Sequence, residues 1–262
     1  MRILFIGDIV GKNGRKTVKE LLPRIKKKYN IDFTIANGEN ATHGKGLIEN
    51  HYRYLIDAGV DVITLGNHWD SKSEITDYIE GTSYLIRPLN LRNCEVGEGS
   101  KVFYWNDLAI RVTNLLGSAF MKEDVDNPYE SLKRIMEEDE PCDIHIVDFH
   151  AEATGEKQSL ALLMDGKITA LLGTHTHVQT RDARILPQKT AYISDVGMCG
   201  PYNGVLGCNK DSVINTLWLN KKEPFIVDDN DVPLFSAVII DVDDNSGLSD
   251  RITPLYIIDN HI

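Results

Sequence analysis

No stretch of this sequence approaches the roughly 18 apolar residues that a membrane-crossing helix needs. The N-terminal run Ile3-Leu4-Phe5-Ile6 breaks at Gly7 and Asp8, too short for the apolar segment of an export signal. Cysteine is scarce as well: Cys94, Cys142, Cys199 and Cys208 lie scattered, with no CxxC pair. That spacing offers no thiolate metal site and no disulfide framework. It suits a reducing compartment, so a cytoplasmic protein with no membrane partner is expected. Basic residues are outnumbered, 28 Lys and Arg against 39 Asp and Glu, for a formal net charge of −11. A surface this acidic repels polyphosphate and argues against tight binding of long nucleic acid. The most basic run, Lys26-Lys27-Lys28, closes a predicted helix, where cations oppose the helix dipole and face solvent. The sequence also lacks repeats, low-complexity tracts and a convincing linker, which leaves one domain over residues 1–262 as the expectation. Self-association stays open.

What is present is a soluble globular balance, 42% hydrophobic and 26% charged over 262 residues, enough to bury a large core without staples. Short runs rich in β-branched residues predict strands at 2–6, 31–36, 60–65, 102–105, 109–115, 144–149, 168–172, 190–193, 235–242 and 252–257. Helical patterns fall at 14–28, 48–57, 72–79, 129–138 and 210–219. Asn106-Asp107 reads as a hairpin turn, and residues 243–247 as a second. Nearly continuous apolar strands separated by helices predict a layered α/β protein with buried sheets.

The informative feature is position. Asp8 follows the first apolar run, and Asn37-Gly38-Glu39-Asn40 the second. Gly66-Asn67-His68 follows the third, His150 ends the run from Ile144, and Thr174-His175-Thr176-His177 follows the run from Ile168. Loops beyond strand C-terminal ends form the ligand crevice of α/β sheets. Glycines at 7, 38, 66 and 173 are expected to turn the backbone sharply there. Each motif alone has an ordinary reading: Asp8 as a helix cap, Asn37-Gly38 as a turn, Glu39 as a solvated charge, His150 as a hydrogen-bonded half-buried ring. His175-Thr176-His177 is more specific, since an extended segment puts both imidazoles on one side of the backbone. Turn chemistry explains each motif but not their common placement. Carboxylate and amide oxygens mixed with imidazole suit Mn, Fe or Zn, and suit two ions sharing a carboxylate.

Those strings, with Gly7-Asp8-Ile9-Val10-Gly11, Asp148-Phe149-His150-Ala151-Glu152, Asp195-Val196-Gly197-Met198 and Gly200-Pro201-Tyr202, resemble the calcineurin-like metallophosphoesterase superfamily, and more closely its YmdB-like branch. The resemblance implies two mixed β-sheets flanked by helices, with the active site at strand C-terminal ends. It also implies two divalent or mixed-valence ions, Fe or Mn first and Zn as an alternative. Glu39 would bridge them, with Asp8 and His177 on the first and Asn67, His150 and His175 on the second. His68 would be a general acid and not a ligand. The superfamily's Asp-x-His motif is broken here, because Val10 stands in the histidine position; Asn40 is implied as the replacement. Trp69 and Asp70 receive no role, the segment being one residue shorter than that branch leads one to expect.

The implied activity is a phosphodiesterase for small cyclic nucleotides, 2′,3′- or 3′,5′-cyclic. Two cations lower the pKa of a bridging water, and His68 protonates the leaving oxygen. Ribonuclease and phosphomonoesterase are rivals within the fold, and a nucleotide-binding regulator with weak turnover is a rival outside enzymes. The flexible segment 197–207, with Met198 and Tyr202, reads either as a cover that stacks on a base or as an ordinary surface loop. His43 reads either as a contact to a substrate phosphate or, first, as an exposed loop histidine; His51, His145 and His261 read as structural, and Cys199 receives no role.

Overall fold

The structure is a computed structural model and describes residues 1–261. The chain opens with β1 (Arg2–Ile6), β2 (Asp8–Ile9) and α1 (Gly11–Tyr29), then runs through β3 (Phe33–Asn37), α2 (Glu49–Asp57) and β4 (Val62–Thr64). After α3 (Ile75–Tyr78) and a 3₁₀ turn (Ile79–Gly81) come β5 (Ser100–Trp105), β6 (Leu108–Leu116), α4 (Pro128–Glu138), β7 (Ile144–His150), α5 (Thr154–Leu163) and β8 (Ala170–Thr174). The last part holds β9 (Arg184–Ile185), β10 (Ala191–Ile193), β11 (Met198–Pro201), α6 (Lys210–Trp218), β12 (Pro233–Val242) and β13 (Ser249–Ile258). No helix among the described residues is long and apolar enough to cross a membrane.

Two mixed sheets result. One has the order β2-β11-β12-β1-β3-β4, with β13 also on β12; the other has the order β5-β6-β7-β8-β10-β9. Their centres are parallel, β1-β3-β4 in one and β6-β7-β8-β10 in the other. Parallel strands need both faces covered, which is why β7 is buried at every position. Alternation along β1 shows the layering. Ile3 and Phe5 point between the sheets, among Phe33, Ile35, Val112, Ile146 and Val238. Leu4 and Ile6 point the other way, onto Leu21, Leu22 and Ile25 of α1. On the far side of the second sheet Val147 and Phe149 meet Leu132 of α4 and Leu160 of α5. The order is therefore α-β-β-α. Each large apolar side chain so buried contributes about 1.5–3 kcal/mol.

Both expected hairpins form, Trp105 pairing with Leu108 and β12 pairing with β13. Helix α1 begins three residues before its predicted start. Its first amides, Lys12 and Asn13, donate to Asp229 Oδ1 at 2.7 and 3.1 Å, a cap lying 217 and 216 residues away in sequence. Helix α5 had no counterpart among the predicted elements. It opens without a capping side chain, and its buried face carries Lys157 where helical periodicity calls for an apolar residue.

His145, buried in β7, illustrates how the core shapes pH dependence. Burial, with the nearby Arg111 charge, lowers its pKa from 6.5 to about 3. The unfolded chain then binds a proton that the fold does not. Stability from this group is full above pH 6.5 and is lost as pH falls from there toward 3. Urea titrations of wild type and His145→Gln across pH 4–7 should show the variant losing less stability on acidification; equal pH slopes would contradict this.

Candidate metal centre

The C-terminal ends of β1, β3, β4, β7 and β8 converge at one place between the sheets. His150 is fully buried, and its Nε2 is the hub. It lies 3.0 Å from Asn67 Oδ1, 3.0 Å from His175 Nδ1 and 3.2 Å from Glu39 Oε1. Donors about 2.1 Å from one ion and at right angles around it are separated by about 3.0 Å, so these spacings match the edges of one coordination polyhedron. Glu39, His150 and His175 form the one group of three such residues among the described residues whose donor atoms all lie close together.

A second group lies across Glu39. Asp8 is fully buried, and its Oδ1 has no hydrogen-bond partner. An orphaned carboxylate oxygen is costly unless a cation or proton meets it. His177 Nε2 is 3.8 Å away, and 3.1 Å from the Asn40 amide nitrogen. Asn40 donates to Glu39 Oε1 at 2.9 Å, while its Oδ1 lies 2.9 Å from His68 Nδ1. The backbone amide of His68 donates to Glu39 Oε2 at 2.9 Å. All eight residues singled out by sequence therefore stand together, His68 partly exposed and held by Asn40 and Glu39.

The electrostatics ask for positive charge. Burial raises the Asp8 carboxyl, against the pull of His177 and His150. Burial also works to raise Glu39, yet the His150 charge and hydrogen bonds from His150 and His68 carry it well below the usual carboxylate range. For His150 burial favours the neutral ring, but Glu39, Asp8 and Asp148 overcome it and push the pKa to about 9. His175 goes the other way, to about 3, through burial and the His150 charge. A cation at the hub satisfies the same carboxylates and leaves both ring nitrogens free to act as lone-pair donors. The donor set fits the implied ions.

Residues that sequence reasoning left aside hold these groups in place. Thr174 Oγ1 donates to Asp148 Oδ1 at 2.7 Å and lies 2.9 Å from His150 Nδ1. With the hydroxyl proton engaged, Nδ1 is the donor to Thr174, which leaves Nε2 for the hub. Asp148 is also bound by Thr64 and Asn37, and burial raises it to about 6. Lys157, fully buried, pairs with Asp195 at 3.0 Å and donates to Thr174 O at 2.8 Å. Asp195 in turn accepts from the Thr176 amide at 2.9 Å. The only sequence signal for this pair was indirect, Asp195 in a matching string. Lys157→Met should strand the Asp195 carboxylate, costing about 3–5 kcal/mol. A clear fall in Tm with weaker ion binding by calorimetry is expected; an unchanged Tm would show the pair to be dispensable.

Three expectations need correction. The His175–His177 segment is not extended: φ is 102° at His175 and 65° at His177, a backbone costing on the order of 1–3 kcal/mol per residue. The two rings consequently serve different groups, His175 the hub and His177 the Asp8 side. Glycines 7, 38, 66 and 173 do not adopt positive φ. Their role is space: a Cβ on Gly66 would sit 2.3 Å from Glu39 Oε2 and 2.5 Å from His150 Nε2. Finally, segment 197–207 is not a uniform loop. Met198–Pro201 is the buried strand β11, paired with β2 and β12. Only the part beyond it, from the half-exposed Tyr202 onward, lies at the surface, and there Leu206 O lies 3.0 Å from His177 Nδ1. His43 is exposed, and Trp69 packs against the α1 side of the core.

The architecture is that of the metallophosphoesterases. A putative 5′-nucleotidase from Staphylococcus aureus superimposes with a TM-score of 0.60 over 99% of this chain and 55% of that one; at 17% identity the likeness is one of fold alone. Within that class the chain belongs to the YmdB-like protein family, which it matches over residues 4–255. It is similar to a crystallised phosphatase from Mycoplasma pneumoniae, with a TM-score of 0.93 and 40% identity over 98% of this chain and 93% of that one. It is 45% identical over 263 aligned residues to the 2′,3′-cyclic-nucleotide 2′-phosphodiesterase of Bacillus subtilis strain 168, covering 100% of this chain and 99% of that protein.

Proposed function

We propose that this phosphoric diester hydrolase acts on small cyclic nucleotides, 2′,3′-cyclic ones first and 3′,5′-cyclic ones second, with two transition-metal ions of the Fe, Mn or Zn type. The observation that carries the reading is the pair of donor groups on either side of Glu39, with His68 held beside them. Glu39 is assigned to both ions, Asp8, Asn40 and His177 to one, and Asn67, His150 and His175 to the other. Bound ions supply a water of lowered pKa and neutralise the phosphoryl oxygens.

The chain's own groups do the rest. Amide oxygen and nitrogen are alike in shape, so with an ion bound the Asn40 side chain can exchange its donation to Glu39 Oε1 for an oxygen facing the ion on the His177 side, and turn its NH₂ toward His68 Nδ1. That arrangement fixes the His68 proton on Nε2, the nitrogen left to donate to a leaving alkoxide. His175 and His150 are oriented through Asp8, Thr174 and Asp148, so neither needs to reorganise during reaction. A net charge of −11 forgoes the counterion release that binds long chains, whereas a mononucleotide needs little of it. Four free cysteines accord with a reducing cytoplasm.

The test is kcat/KM on a 2′,3′-cyclic mononucleotide, its open monoester and a structured RNA, with one metal and one salt concentration. The cyclic diester should lead. A lead for RNA would make the protein a ribonuclease, a lead for the monoester a phosphatase, and tight binding without turnover a regulator.

A further inference from the structure

One cavity borders the metal centre. It has a volume of about 910 Å³, and its wall includes His177, Met198, Tyr202, Val205, Leu206 and Tyr256. Four other cavities among the described residues carry none of the converging side chains. His177 is the partition: Nε2 faces Asn40 and Asp8, while Nδ1 lies 3.0 Å from Leu206 O in the cavity wall.

That wall is built with care. Leu206 and Gly207 form a two-residue hairpin turn with φ of 52° and 87°, closed by hydrogen bonds of 2.8 and 3.0 Å between Val205 and Cys208. Positive φ at both central residues is the pattern of the tight hairpin turn, and leucine seldom occupies it. Tyr202 and Tyr256 are 41% and 51% exposed, two aromatic rings offered to solvent in a wall that also carries Val205, Leu206 and Pro254. Two of the polar side chains in the wall are engaged in the fold. Gln179 Nε2 donates to three backbone carbonyls, of Val196, Ala237 and Leu255. The Thr180 hydroxyl donates to Asp182 Oδ1 and lies 3.2 Å from Asp195 O. A planar, weakly polar group could stack here; Arg181, also in the wall, adds a cation that favours a π-face over any particular base edge.

We propose that this groove receives the nucleobase of the substrate, with Tyr202 and Tyr256 as stacking residues that select for a base without selecting which base. The proposal rests on the reading that a cyclic nucleotide phosphate binds at the metal centre. The groove begins at His177, on the Asp8 side, so a base one sugar away from that phosphate is the occupant continuous with the centre. Stacking tolerates every base because each has a π-face.

The experiment uses the metal-loaded full chain with two substrates, 2′,3′-cyclic AMP and base-free ribose 2′,3′-cyclic phosphate. The wild type should prefer the nucleotide, and Tyr202→Ala or Tyr256→Ala should cut that kcat/KM ratio about five- to one-hundred-fold, chiefly through KM. Tyr202→Phe should keep it, and the four 2′,3′-cyclic nucleotides should agree within roughly ten-fold. A wild type that hydrolyses both compounds equally, or alanine variants that leave the ratio unchanged, would overturn the groove assignment and leave the diesterase reading standing. Turnover of neither compound would overturn both. Alanine variants that change oligomeric state by light scattering with no change in the ratio would assign the groove to contact between copies of the chain instead.

Discussion

A His68→Ala protein should bind as many transition-metal ions as the wild type and turn over a cyclic nucleotide roughly 10²–10⁴-fold more slowly. The expectation follows from where the ring is held. His68 is anchored through its backbone amide on Glu39 and through Nδ1 on Asn40, not by the hub around His150 Nε2. Removing the ring deletes the proposed proton donor and leaves the donors around His150 and Asp8 in place. The fall should appear in kcat more than in KM, since the proton is needed only as the leaving oxygen departs. Elemental analysis alongside kinetics decides the matter. A His68→Ala protein that sheds ions as His150→Ala does would make His68 a ligand.

Glu39→Gln should have the larger effect: ion content below one per chain and turnover reduced by at least roughly 10⁴-fold. Glutamine keeps the shape but removes the charge that both groups share. Glu39 is buried to 1% exposure, with Oε1 beside His150 Nε2 and the Asn40 amide and Oε2 on the His68 amide. Asp8, the other buried carboxylate among the candidate ligands, meets the hub side only through the His175 backbone amide and lies 3.9 Å from His150 Nδ1. Asp8→Asn should be milder in ion loss, because Asp8 is assigned to one ion and reaches the other side only through the His175 backbone amide; equal ion content in Glu39→Gln and wild type would remove Glu39 from its central position.

The convergence of the candidate ligand positions was legible in sequence because each sits on a short motif directly after an apolar run, and parallel strands carry all such ends to one edge. What supports them was not. Asp148 lies two residues before His150 in a matching string that gives it no role, and its value appears only when Thr64, Asn37 and Thr174 arrive from three other segments. Lys157 sits on a helix whose buried face is broken by that same charge, so periodicity hid both the helix and the residue. The start of α1 depends on Asp229, 217 residues from Lys12 in sequence. Gly66 was correctly picked out but for the wrong property, since neighbouring atoms rather than backbone angles demand the missing Cβ. Local chemistry survives in sequence; chemistry assembled from distant segments does not.

The most direct measurement is an anomalous-scattering map from crystals of the active, metal-loaded protein. Two peaks are predicted, one among Asp8, Asn40 and His177 and the other among Asn67, His150 and His175, with the Glu39 carboxylate between them. A single peak at the His150 hub in fully active protein, with nothing beside Asp8 and His177, would contradict the two-ion site.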